Sequence, residues 1–355
     1  MTKKKTILVA PLHWGLGHAT RCIPIISALR ESGFEVILAS DGAALLLLQK
    51  EFPQLEYVEL PSYNITYSKN KHLFKWKLFT NLFTIFNTIL SEKRIVQKLV
   101  AEGKIQGIIS DNRFGVRSKR VPSVFITHQL NVLSGSTTYL SSKINQWFIK
   151  KFDVCWVPDT ENVVLNLSGK LGHLTHESFP IKYIGILNRM KKREIPKSID
   201  ILALISGPEP QRSLFEEMLK QTLCKSRQRV LMVQGIVEKE QKTHYFENIE
   251  IVNFLTTESL EEALNKSETV ISRSGYTTIM DLASLEKKVF FIPTPGQYEQ
   301  EYLAKRLKNL GIVPSCKQQK FKLKKLKRIS VFSGLENIAV EPVNFPELFS
   351  LFQGK

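Results

Sequence analysis

The sequence predicts an α/β protein of two doubly wound, parallel-sheet domains that face each other across a cleft. Three observations carry this. Short β-branched apolar runs alternate with helix-period segments, the pattern of a parallel sheet covered on both faces. The alternation restarts after a charged, proline-containing linker at Asn188–Ser198. The length, 355 residues, suits two domains of ordinary size.

In the first half, Thr6–Ala10 reads as a buried central strand. A turn leads into a helix over Ala19–Ser32, with Ile23, Ile26, Ala28 and Leu29 on its apolar face and Gly33 as its stop. Glu35–Ala39 is a strand, Gly42–Lys50 a helix, and Leu55–Glu59, Ile105–Ser110 and Ser123–Thr127 are further strands. In the second half, Ile201–Ile205 is a strand, Ser206–Pro210 a turn and Ser213–Gln221 a helix. Strands follow at Val230–Val233, Ile249–Asn253, Thr269–Ser272 and Val289–Ile292, with helices at Leu260–Lys266, Thr277–Leu285 and Tyr298–Leu310 among them. Two segments depart from the alternation. Asn70–Leu99 mixes Lys with Phe, Trp and Leu and reads as an amphipathic helix. Gln318–Arg328 is a lysine-rich, solvated stretch.

Composition narrows the class. At 43% hydrophobic residues the chain can bury real cores. It has no apolar run long enough to span a bilayer, and Ile7–Leu12 is too short for a secretory leader, so a cytoplasmic protein is expected. Cys22, Cys155, Cys224 and Cys316 are scattered, which argues against a disulfide framework or a structural zinc site. The formal charge of +17 points to an anionic partner. The basic residues are spread along the chain without a nucleic-acid motif, so no nucleic-acid partner is expected.

Four stretches are candidates for chemistry, all at the carboxyl ends of strands, where ligands bind in such sheets. Gly15-Leu16-Gly17-His18 joins the first strand to the first helix. Its glycines permit a close approach of backbone to ligand, and His18 is placed to act as a general base. His13, in the same turn, reads as structural. Asp111 ends a buried strand on the same edge and is placed to orient His18; capping the next turn is an equal reading. His128 and Asn131 follow another strand end and are candidate acceptor contacts, or loop residues between the domains. The strongest stretch is Ser272–Asp281. Ser274, Gly275 and Thr277 surround a helix N-terminus, an anion site, and Asp281 lies about a turn further in, suited to a ribose diol. Gln300 and Glu301 open the next helix and could bond sugar hydroxyls.

Taken in order, these residues resemble the GT-B glycosyltransferases, and within them the MurG-like family 28 type. The resemblance covers nearly the whole chain and is most specific in Ser272–Glu301. It implies two Rossmann-like domains: 1–190 for the acceptor and 197–340 for the nucleotide sugar, with 341–355 a C-terminal helix returning to the first domain. By position, Asp281 matches the family's ribose-binding acid, and Gln300 the first of two donor-side glutamines, with Glu301 at the second. Arg273, Ser274 and Gly275 match the diphosphate-side turn, and Phe254 and Leu255 the segment whose backbone reads uracil. Gly207 sits in the loop that faces the donor phosphates, with Arg212 beside it as a phosphate contact. His18 matches the histidine of the family's glycine-rich loop, with Gly15 and Gly17 on the acceptor side.

The implied chemistry is inverting transfer from a UDP-sugar to a hydroxyl, with His18 as base and Asp111 behind it. No DxD pair stands in a suitable loop, so neither a metal nor another cofactor is expected. The segment 70–99 suits the surface of an anionic membrane, which would make the acceptor lipid-linked and the protein peripheral on the cytoplasmic face; packing in the core is the competing reading. A UDP-sugar epimerase or hydrolase of the same architecture, a donor-binding homologue without activity, and a charge-driven nucleic-acid binder are the alternatives.

Overall fold

The computed structural model describes residues 4–63, 74–162, 166–338 and 342–354. The chain forms two sheets. The first contains β1 (Thr6–Pro11), β2 (Glu35–Ser40), β3 (Glu56–Glu59), β4 (Gly107–Asp111), β5 (Ser123–Ile126), β6 (Val154–Val157) and β7 (Ile181–Tyr183). Their spatial order is β3-β2-β1-β4-β5-β6-β7, and every neighbouring pair is parallel. The second contains β8 (Ile199–Leu204), β9 (Val230–Val233), β10 (Thr243–Phe246), β11 (Ile249–Val252), β12 (Ser267–Ser272) and β13 (Lys288–Phe291). It runs β10-β11-β9-β8-β12-β13, with β10 antiparallel at one edge. The chain reverses direction in strand order at β1/β4 and at β8/β12. Those are the switch points where such sheets open a crevice for ligands. This is the GT-B architecture of two Rossmann-like sheets.

Buried parallel strands account for the apolar runs. Ile7, Leu8, Val9 and Ala10 are fully buried, because helices cover both faces of the sheet. The helices are α1 (Gly17–Glu31), α2 (Gly42–Glu51), α3 (Phe74–Ala101) and α4 (Thr138–Ile149) in the first half. In the second they are α5 (Gln211–Leu223), α6 (Thr257–Lys266), α7 (Tyr276–Ser284), α8 (Tyr298–Asn309) and α9 (Phe345–Gln353). Strands β6, β7 and β10 and helix α4 were not read from the sequence. They are short, or carry polar residues at the sheet margin, so their period is weak. The lysine-rich stretch is a 3-10 helix, Leu323–Val331, that lays Leu323, Leu326 and Ile329 on the second core.

Helix α1 is the shared element. Its inner side packs on the first sheet, and its flank meets α7 and α9 in one continuous apolar cluster. Gly17 permits the closest approach: a Cβ there would stand 3.2 Å from Thr277 Oγ1, which donates to the Gly17 carbonyl at 3.1 Å. The N-termini of α1 and α7 are thereby brought face to face.

Helix α9 is made by the second half of the chain but covers the first. Phe349 and Phe352 are buried edge-on against Phe34, and Phe352 also meets Trp156 with ring centroids 6.3 Å apart. Gly107 leaves room for that ring; a Cβ there would come within 2.5 Å of it. Lys5 donates from its ammonium to the Phe352 carbonyl at 3.0 Å and closes the helix end. Replacing Phe352 by Ala removes a fully buried ring, so Phe352→Ala is expected to lower unfolding free energy by roughly 3–5 kcal/mol, read from urea denaturation with an unchanged m-value.

Candidate active site in the inter-domain cleft

The site is organised by Asp111. This residue ends β4, is completely buried, and takes both carboxylate oxygens toward α1. His18, in the first turn of α1, places Nδ1 2.7 Å from Asp111 Oδ1. Arg21, one turn further, donates from Nε and Nη2 to the two carboxylate oxygens as a bidentate pair. Burial alone would push the Asp111 carboxyl up, but the charges of Arg21 and His18 and their hydrogen bonds hold it well below the usual carboxylate range. An anionic Asp111 fixes the His18 tautomer: Nδ1–H is donated to Asp111, and Nε2 is left with its lone pair. Nε2 has no hydrogen-bond partner among the described residues, and the ring is only partly covered.

Arg21 continues the chain of contacts into the second domain. Its Nη1 donates to His128 Nδ1 at 3.0 Å, so His128 must carry its proton on Nε2 and donate it to Glu299 Oε1 at 2.9 Å. Burial lowers the His128 pKa, consistent with a neutral ring between two charges. Gln129 donates to the other Glu299 oxygen at 2.5 Å. Tyr276, at the start of α7, stacks on the His128 ring with centroids 4.2 Å apart and planes 4° apart. Its hydroxyl donates to the Pro158 carbonyl at 2.7 Å. The cleft is therefore bridged by an uninterrupted polar path, Asp111–Arg21–His128–Glu299.

The residues expected to meet a donor gather where the carboxyl ends of β8, β11, β12 and β13 meet that path. Gly207 has φ +109°, a conformation that favours glycine, with open space where a side chain would be. Gly275 is the N-cap of α7, and Ser274 donates from its hydroxyl to the Gln300 carbonyl at 2.8 Å. Phe254 is buried under the Lys50 ammonium, which lies 5.1 Å from its ring centroid, and Leu255 is partly buried against the large apolar cluster that includes α1 and α7. Asp281 is nearly covered. Burial raises its carboxyl to about 6, even though Arg189 Nε stands 3.6 Å away and draws it down.

Several residues serve other purposes than the sequence predicted. Arg273 lies deep below the loops. Its guanidinium is buried, lies 3.8 Å over the Phe215 ring, and donates to the carbonyls of Ile292, Pro293 and Gln211, which straps the donor-side loops together. Burial brings its pKa down to about 9. Arg212 is held by Glu209 and Glu216 rather than standing free. Gln300 Oε1 accepts from the Thr294 N–H at 2.9 Å and Glu301 Oε1 from the Gly296 N–H at 3.0 Å, so both shape their own loop. Asn131 donates to the carbonyls of Lys170 and His173 and clamps a loop instead of lining the acceptor side. His128 sits in the inter-domain path, the second of the two readings the sequence allowed. Gly15, with φ +79°, shapes the turn before His18. His13 pairs with Asp41 at 3.1 Å, the structural part it was read to play.

Arg21, Tyr276 and Glu299 were missed. Arg21 carried a usable signal: it follows His18 by three residues, and so falls on the same helical face. Tyr276 and Glu299 gave none, because their partners are distant in sequence. Among the described residues, no group of three or more His, Cys, Asp or Glu side chains is arranged to hold a metal ion. No described helix is long and apolar enough to cross a membrane.

Comparison with known proteins shows what the chain is similar to. Residues 203–330 match the glycosyltransferase family 28 C-terminal domain. The chain is 24% identical over 321 residues to the UDP-N-acetylglucosamine--N-acetylmuramyl-(pentapeptide) pyrophosphoryl-undecaprenol N-acetylglucosamine transferase of Haemophilus influenzae (strain PittEE), covering 89% of this chain and 86% of that protein. It is 27% identical over 313 residues to the enzyme of the same name from Clostridium tetani (strain Massachusetts / E88), covering 82% and 78%. Among solved structures it is similar to Acinetobacter baumannii MurG, with TM-score 0.56, 14% identity and 99% of each chain covered. It is also similar to the glycosyltransferase SnogD of Streptomyces nogalater, with TM-score 0.61, 13% identity, and 98% and 100% covered. The chain is a GT-B-fold glycosyltransferase. More particularly, it is related to the MurG-like enzymes of family 28.

The raised Asp281 carboxyl has a sign that can be tested. The folded protein holds this proton up to about pH 6, while the unfolded chain releases it near the ordinary value of 3.8. Stability from this group is full below the lower value and is lost as pH rises through the higher one, on the order of 3 kcal/mol. Urea unfolding of Asp281→Asn, compared with the wild type from pH 4 to pH 7, is expected to show the variant gaining relative stability across that window. A constant difference between the two would contradict the shift.

Proposed function

We propose that the protein moves a hexosyl group from a UDP-sugar to an acceptor hydroxyl, with inversion and without a metal. The observation that carries this reading is His18 Nδ1 at 2.7 Å from the buried, anionic Asp111, with Nε2 open to the cleft. An acceptor hydroxyl at Nε2 gives up its proton as its oxygen attacks the anomeric carbon, and Asp111 stabilises the imidazolium that forms. The bond from the anomeric carbon to the diphosphate oxygen breaks on the opposite face. The N-terminus of α7 beyond Gly275 and the Gly207 loop would receive the negative charge that develops on the leaving UDP. Asp281 would take the ribose, with the backbone of Phe254 and Leu255 toward the base. Arg273 contributes by fixing the loops that present these groups.

A lipid-linked acceptor is supported by the surface of the first domain. Phe83, Phe86 and Leu90 of α3 are exposed, as are Tyr139, Leu140, Ile144 and Trp147 of α4. Lys151, just past the end of α4, has its ammonium 2.9 Å from the Trp147 ring centroid and feels the charges of Arg117 and of Lys93 in α3. Apolar side chains rimmed by cations suit an anionic bilayer surface. The relatives named above carry an undecaprenol-linked acceptor in their names.

The reading is tested by incubating the protein with a radiolabelled UDP-N-acetylhexosamine and a polyprenyl-linked acceptor in EDTA. Label should enter the lipid fraction with release of UDP. His18→Ala should reduce the rate by ~10²–10⁴-fold while donor binding is kept. An isomerised or free sugar formed without acceptor would establish an epimerase or hydrolase instead.

A further inference from the structure

The edge of the second sheet opposite to the cleft holds a feature that glycosyl transfer does not use. A cavity of about 1030 Å³ lies at the amino ends of β8, β12 and β13. Its walls are the inter-domain linker at 192–197, the junction of α6 with β12, the turn between α7 and β13, and the 3-10 helix Leu323–Val331. Its lining carries six cationic side chains to three carboxylates. Two of the cations, both at the linker, are already matched: Lys192 with Glu286, and Arg193 with Glu261 at 2.8 Å. Glu194 and Glu268 also line the wall, yet neither pairs with the remaining lysines. Lys197, Lys287, Lys288 and Lys327 have no carboxylate within ion-pair distance among the described residues.

The arrangement of two of these lysines is costly as it stands. Lys287 is only 6% exposed, and its ammonium donates to the Ser267 carbonyl. Lys197 donates from the linker to the carbonyl of Asn265, two residues earlier, so the two ammonium groups lie side by side. Burial, and then the charge of Lys197, bring the Lys287 pKa down to about 8. The charge of Glu268 opposes this only in part, so the buried ammonium beside a like charge is not fully compensated until an anion is supplied. The cavity is large enough to admit one, and compact ammonium groups lining one cavity suit phosphoryl oxygens.

We propose that this cavity is a binding site for a phosphate-bearing anion, clasped between Lys197 of the linker and Lys287 of the second sheet, with Lys288 and Lys327 completing the positive ring. Occupancy ties the inter-domain linker to the sheet edge it leaves, at the hinge of the two domains. The proposal is independent of the transfer reading, because these lysines lie at the opposite end of the strands from His18 and Asp281.

The experiment is calorimetric titration of the full chain with inorganic pyrophosphate. Lys197 and Lys327 are exposed, so a Lys197→Gln, Lys327→Gln double variant can be compared without disturbing the core. Loss of these charge-assisted contacts should weaken binding by about tenfold or more, and the corresponding Lys→Arg pair should retain it. Absence of saturable binding in the wild type, equal affinity in the Gln variant, or equal loss in the Gln and Arg variants would overturn the site. Co-sedimentation with phosphatidylglycerol vesicles separates the two sources of such an anion. A parallel loss of vesicle binding in the Gln variant identifies a lipid headgroup, and unchanged vesicle binding identifies a soluble phosphate.

Discussion

The site depends on one buried carboxylate. Asp111 sits at the carboxyl end of β4 with no exposed surface, and a charge in that position is tolerable only because Arg21 and His18 converge on it. The same pairing decides three things together. It holds the imidazole of His18 in one orientation and one tautomer, it anchors the first turn of α1 to the sheet edge, and it commits Arg21 to a position from which it also reaches His128. Removing Asp111 would leave a buried guanidinium without its counter-charge, so effects on His18 and on the fold cannot be separated by that single substitution.

The second constraint is steric. Gly17 lets Thr277 of the opposing domain come against the backbone of α1, and Tyr276 is thereby laid flat on His128. A closed cleft with two helix N-termini directed into it is an electrostatic environment suited to a leaving diphosphate. Glu299 completes the closure through His128 and Gln129. Because Glu299 belongs to α8 and His18 to α1, the geometry of His18 is linked to the seating of the loops that precede α7 and α8. Arg273 keeps those loops in register by holding three carbonyls from two segments.

Much of this was legible in the sequence, for physical reasons that differ by element. The central strands were visible because burial on both faces leaves near-continuous apolar runs, as in Thr6–Ala10 and Ile201–Ile205. His18 and Asp111 were legible because each directly follows such a run and therefore lies at the ligand-binding edge. What could not be read was the use of side chains whose partners come from the other domain. Arg273 looks like a phosphate ligand by type and position, yet its depth below the loops makes it a strap. Gln300 and Glu301 look like sugar ligands, but the tight turn at 293–297 leaves backbone N–H groups that their side chains satisfy. Glu299, one residue earlier, projects across the cleft instead. In Asn70–Leu99, residues 70–73 lie outside those described. From Phe83 onward α3 divides between exposed Phe83 and Phe86 and buried Ile89, Val96 and Leu99, so one face is open and the other packs in the core.

The account stands on a nucleotide seated among Gly207, Phe254, Gly275 and Asp281 without help from a metal. Its most direct test is calorimetric titration of the protein with UDP, compared with ADP and GDP, in the presence of EDTA. The account predicts saturable binding of UDP at one site per chain, weaker binding of the purine nucleotides, and no loss of UDP affinity on chelation. Absence of UDP binding, or an equal or stronger preference for another nucleotide, would contradict it.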